Sequence, residues 1–247
     1  MTDRLRPLPI FLRIGRTYAS WAPSLLLLAV IVFVPVGLVH TIAISPDVGS
    51  LDLDGVLTIL AVVIAVAALA VTGLLGEVFY TGAVAISLTH PRDGRPPSLR
   101  EIARMVKYRR LIAIDLIYGI VVAIGLVLLV VPGIAAFVWF ALAAPVVEIE
   151  DRGVREAFAR SVQLIRGRFW VVLAVLVPIE LVGDGITTFA TEIAHHLLGE
   201  SFLSEWLADV LANLAFTPFY AVAAVLITVD LIKEKDGGGE LHSEPPR

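Results

Sequence analysis

A carboxylate in the middle of an apolar run must do something to stay there, and this chain places one at Glu180. It lies within the segment from Phe169 to about Phe189, ten residues past Trp170. If Trp170 marks a membrane interface, Glu180 sits roughly 15 Å deeper, near the bilayer midplane. No Lys or Arg shares that depth in any apolar segment. Such a group must be protonated, hydrogen-bonded or facing a watery cavity. Asp184 follows one helical turn later on the same face, and Pro178 just before it can bend the helix. Asn213, Thr217 and Tyr220 on the next apolar segment are available as partners. Two chemistries fit these residues: a neutral acid pinning two helices by hydrogen bonds, or a site for a proton, a cation or a substrate.

Three other acids lie in or beside apolar segments. Asp230 precedes Lys233 by three residues at the inner boundary, where an ion pair along one helix or a capping role accounts for it. Asp115 is about 7 Å along the helix from Arg110 and reads as near-interfacial. The depth of Glu77 depends on where its span ends. Glu192-x-x-His195-His196 has part of a four-helix metal pattern, but those sites need a second copy on other helices and none exists, so an outer amphipathic helix with exposed histidines is expected instead. No metal or cofactor is expected. There is no glycine-rich phosphate loop, no Gly-x-Ser-x-Gly and no His-Glu-x-x-His. The absence of cysteine excludes disulfides, thiolate metal sites and cysteine nucleophiles.

The elements that must position these residues follow from composition and charge. Of 247 residues 58% are hydrophobic and only 17% charged, with a mean hydropathy of +0.89, which is too apolar for a water-soluble domain and places the chain in lipid. The 19 Lys and Arg fall in four blocks: four at 4–16, seven at 92–110, five at 152–168, and three from Lys233 onward. If all four blocks are cytoplasmic, every intervening segment crosses the membrane an even number of times. Three hairpins result, with both termini cytoplasmic.

The first hairpin runs from Ala22 to Ile44 and returns from about Val56 to Leu75, with an acidic outer loop at Asp47, Asp52 and Asp54. A signal peptide is rejected, because the first run exceeds a signal core and Pro46 follows the only small-residue cleavage option. The second runs from Leu111 to Ile149; as one helix it would be roughly 55 Å long against a hydrocarbon core of about 30 Å, so it must fold back. Pro132-Gly133 is the expected turn, which leaves a short returning arm, Ile134 to Ile149. The third runs from Phe169 to about Phe189 and returns from Val210 to Ile232. Val56 to Leu88 is too long for one straight span, and its last turns read as an interfacial helix, with a re-entrant piece as the alternative. The fold class is therefore an all-α integral membrane protein with six transmembrane helices over residues 1–235, and a disordered polar tail over 236–247.

Each hairpin follows a short basic amphipathic segment, so the unit of interfacial helix plus hairpin is used three times. The first is Phe11 to Trp21, with Arg13 and Arg16. The second opens at Ser98-Leu99-Arg100-Glu101, a capping box after Pro96-Pro97. In the third, Val154, Phe158, Val162, Ile165 and Phe169 form one stripe at helical spacing, with Arg155, Arg160 and Arg166 largely off it. These arginines and Arg168 are candidate contacts for anionic lipid headgroups.

Val131-Pro132-Gly133, Ala144-Pro145-Val146-Val147, Glu150, Gly153-Val154-Arg155-Glu156-Ala157, Arg160-Ser161, Leu164 and Arg166-Gly167-Arg168-Phe169-Trp170 make up a pattern. It resembles the signature of the glycerophosphoryl diester phosphodiesterase membrane-domain family and its stand-alone relatives of unknown function, as does the ending Val229-Asp230-Leu231 before basic residues. The resemblance implies a six-span membrane domain. Fused members carry a separate phosphodiesterase domain that has no counterpart in this sequence, so that activity is not expected here.

The leading expectation is a non-enzymatic protein of the plasma membrane that organises lipid or a membrane-protein partner at the cytoplasmic interface, with no nucleic-acid role. The alternative is a small transporter or permease component using Glu180 and Asp184.

Overall fold

The computed structural model describes residues 7–44, 76–91, 96–199 and 201–236. All regular structure among them is helical: α1 (Pro7–Ile44), α2 (Glu77–Thr89), α3 (Leu99–Met105), α4 (Tyr108–Leu128), α5 (Val130–Phe140), α6 (Ala143–Glu150), α7 (Val154–Ile165), α8 (Phe169–Leu198) and α9 (Phe202–Lys235). Among the described residues five stretches are long and apolar enough to cross a membrane: Leu8–Leu38, Tyr108–Leu128, Val130–Glu150, Phe169–Leu198 and Phe202–Lys235. The expected span from Val56 to Leu75 lies outside the described residues.

Long α9 is the axis of the bundle, with α1, α8 and α2 packed along it. It runs antiparallel to α1: Arg13 pairs with Asp230 at 2.6 Å near one end, and the Trp206 indole donates to the Val34 carbonyl towards the other. This corrects the expected local partner of Asp230, because Arg13 reaches it from the facing helix. It also corrects the first repeat. Phe11 to Trp21 is no separate interfacial helix but the first turns of a single 38-residue α1, which continues through Pro23 and Pro35. Among the described residues a short helix precedes a long apolar one twice, α3 before α4 and α7 before α8.

The helix α2 departs furthest from expectation. Its last turns do not lie at an interface; residues 80–87 are all buried, against α9, α6 and α4. A helix apolar all round belongs in the interior, and the small residues Gly82, Ala83 and Ala85 let neighbours come close. A Cβ at Gly82 would meet a Leu111 methyl at 2.6 Å. The Tyr80 hydroxyl, fully buried, donates to the Leu25 carbonyl of α1 at 2.8 Å.

The second hairpin turns at Leu129, in extended conformation, three residues before the expected Pro132-Gly133. Pro132 instead lies in the first turn of α5, where a missing N–H has no helical acceptor to lose. Gly133 faces Gly125 across the hairpin. A Cβ on Gly125 would lie 2.8 Å from the Gly133 Cα, so these glycines permit backbone contact rather than a turn. The returning arm is longer than expected, Val130–Glu150, and is interrupted at Ala141 and Leu142 between α5 and α6.

The basic residues gather at one end of the bundle and are held there by acids. Glu101 accepts from the Ser98 N–H and hydroxyl at 2.9 Å, fixing the start of α3. Glu148 reaches from α6 to accept the Lys107 N–H at the start of α4. Asp151, in the left-handed conformation at φ 54°, ties Lys107 at 2.9 Å and Arg110 at 2.7 Å. Those two donors hold its carboxyl below the usual carboxylate range.

Candidate functional site

At its buried start α2 brings Glu77 to the inner part of α8. A small polar pocket of about 40 Å³ is lined by Glu77, Glu180, Asp184, Asn213 and Thr217, together with Gly183 and Phe216. The crossing of α8 and α9 is tight at this point: a Cβ on Gly183 would lie 2.2 Å from the Phe216 ring. Four of the five residues singled out from the sequence thus share one pocket. The fifth, Tyr220, is buried and lines a neighbouring void with Glu77 and Tyr118.

The pocket adjoins a cleft of about 540 Å³. Its lining is mixed, acidic from Glu77, Glu180, Asp184 and Asp209 and apolar from Val122, Ile134, Phe137 and Val177. No Lys or Arg lines either space among the described residues. Leu126, Val130 and Leu181 line the cleft and are themselves exposed. Its mouth therefore opens between the α4–α5 hairpin and α8, on the apolar outside of the bundle. Phe137 anchors the inner wall, with ring centroids 6.2 Å from Tyr118 and 6.1 Å from Tyr220.

The hydrogen bonds bear on which chemistry this is. Asn213 donates to the Asp209 carbonyl at 2.9 Å, and Thr217 donates to the Asn213 side-chain oxygen at 3.1 Å. Thr187 donates to the Gly183 carbonyl. These polar groups bond along their own helices instead of clasping Glu180 across the interface. Glu77 was missed as a partner of Glu180 because no local pattern joins them; its position just after Gly76, where a helix starts, was the only clue. Among the described residues no group of histidines and acids has metal-binding geometry.

The basic residues do not form one headgroup surface. Arg160 is buried, 8% exposed, and donates to both Glu150 oxygens and to Asp236; Glu150 first among these raises its already high pKa. The buried face of α7 carries Ala157, Arg160, Ser161, Leu164 and Ile165, rotated from the stripe read in the sequence, so Arg160 is a core ion-pair residue. Arg168 pairs with Glu234. Arg155 and Arg166 are exposed, and Trp170, a few residues after Arg166, is 76% exposed.

Compared with family models, curated proteins and solved structures, the chain matches none.

Proposed function

We propose that this chain is a membrane carrier, or the membrane component of one, for lipophilic cations. One observation supports this above the others: a cleft lined by carboxylates together with apolar side chains and no basic residue among its described lining. An apolar cavity with a few convergent polar groups is the usual form of a small-molecule site, and intramembrane acids mark ion and substrate pathways. A cation with an apolar body satisfies both kinds of lining, and the same carboxylates can carry a proton in exchange. The opening onto the apolar surface favours ligands that arrive from lipid. The grouping of the basic residues supports a cytoplasmic position for both termini. No catalytic role is assigned. The test is ethidium accumulation by proteoliposomes with an acidic lumen: uptake above protein-free vesicles is expected, and uptake equal to theirs would reject a carrier.

A second reading, a lipid-organising role at the cytoplasmic interface, rests on exposed Arg155 and Arg166 near Trp170. It predicts that native mass spectrometry finds anionic lipid on the wild type and not on the Arg155→Gln, Arg166→Gln double variant. Equal lipid retention by both would reject it.

A further inference from the structure

Glu77 reaches the cleft only because α2 starts where it does, and that start is unusual. Gly76 is in the left-handed region, φ +94°, which glycine adopts without strain. A side chain there would press on Val36 of α1 at 3.2 Å. Helix starts expose amides that a capping side chain normally satisfies, and Gly76 has none to offer. Instead Asp115, on the neighbouring α4, accepts the Gly76 N–H with Oδ2 at 2.9 Å. Asp115 is 6% exposed, and its Oδ1 is buried without a hydrogen-bond partner. A carboxylate desolvated on one oxygen is costly, so its retention calls for a compensating role. The sequence, which spaces Asp115 from Arg110 along α4, gives no sign of this cross-helix contact.

We infer that Asp115 is a positioning residue: by holding the Gly76 amide it fixes the first turn of α2 and aims Glu77 into the cleft. The consequence for binding rests on the carrier reading above; the latch itself does not.

The test compares Asp115→Leu, close in size but without an acceptor, with Asp115→Asn, which keeps a carbonyl oxygen for the Gly76 N–H. Both are made in the full chain in nanodiscs, with amide hydrogen exchange and ethidium affinity as readouts. Asp115→Leu is expected to speed exchange at residues 76–80 by roughly tenfold or more, as loss of one local closing contact should. Peptides from α8 and α9 keep wild-type rates, ethidium binding weakens, and Asp115→Asn restores both readouts. Unchanged exchange at 76–80 would overturn the latch, as would faster exchange throughout the bundle, which marks a general stability role. The expected exchange pattern in a protein that binds no ethidium would uphold the latch and reject the carrier.

Discussion

Glu180→Gln weakens ethidium binding by roughly tenfold or more, a loss of about 1.4 kcal/mol, while the melting temperature stays level or rises. The two halves have one cause. A unit charge about 4 Å from a cation contributes about 4 kcal/mol at an effective dielectric of 20. Four acids line the cleft, so one amide removes only part of the attraction. In the empty cleft the same carboxylate is half-buried with no Lys or Arg lining its walls among the described residues. That arrangement costs the fold something, and glutamine relieves it at nearly constant shape. Asp184→Asn should cost less affinity, because Asp184 is exposed where Glu180 is half-buried, so a bound cation is less enclosed around it. Equilibrium titration in nanodiscs checks both variants, and Glu180→Gln with wild-type affinity would remove Glu180 from the site.

The largest loss of stability should come from the opposite end of the bundle. Arg160→Ala is expected to cost about 3 kcal/mol, the low end for breaking a buried ion pair, since Asp236 is half exposed. The loss arises less from the missing attraction than from what remains. Glu150, 13% exposed at its side chain, keeps only the Arg152 contact, and α7 loses one of its ties to the end of α9, where Lys235 still donates to the Gln163 carbonyl. Arg160→Lys should fall between, because an ammonium cannot reproduce the forked contact with both Glu150 oxygens. Arg155→Ala, at an exposed site on the same helix, should stay within about 0.5 kcal/mol. Thermal unfolding in detergent separates the cases: if Arg160→Ala melts with Arg155→Ala, the Arg160 pairs carry no stability.

The two expected effects differ in how far they could be read from the sequence. The apolar run lengths and the capping pattern at Ser98 and Glu101 indicate the long helices and the start of α3, because those signals are local, but they leave the start of α1, the end of α8 and the start of α9 short of their observed bounds. Glu180 could be picked out for the same reason: depth along a helix can be counted from Trp170. Its partner Glu77 could not, since the two meet only when α2 packs inside the bundle, and nothing near Glu77 indicates burial on every side. Arg160 misled because a stripe of Val154, Phe158 and Val162 is a good apolar face by itself; the acids that turn α7, Glu150 and Asp236, come from elsewhere in the chain. The turn at Leu129 was misplaced because Pro-Gly pairs serve turns and helix starts alike. Asp230 was given the nearest cation in sequence, Lys233, whereas Arg13 lies across the bundle.

The chain contains no cysteine, which allows the cleft to be tested at a single atom. A cysteine introduced as Glu180→Cys, in the full chain in nanodiscs, can be challenged with a small, uncharged, membrane-permeant maleimide with and without saturating ethidium. A ligand-binding cleft predicts that the thiol reacts and that ethidium slows the reaction. A thiol that never reacts, or reacts equally fast with ethidium present, would contradict a cation site at Glu180.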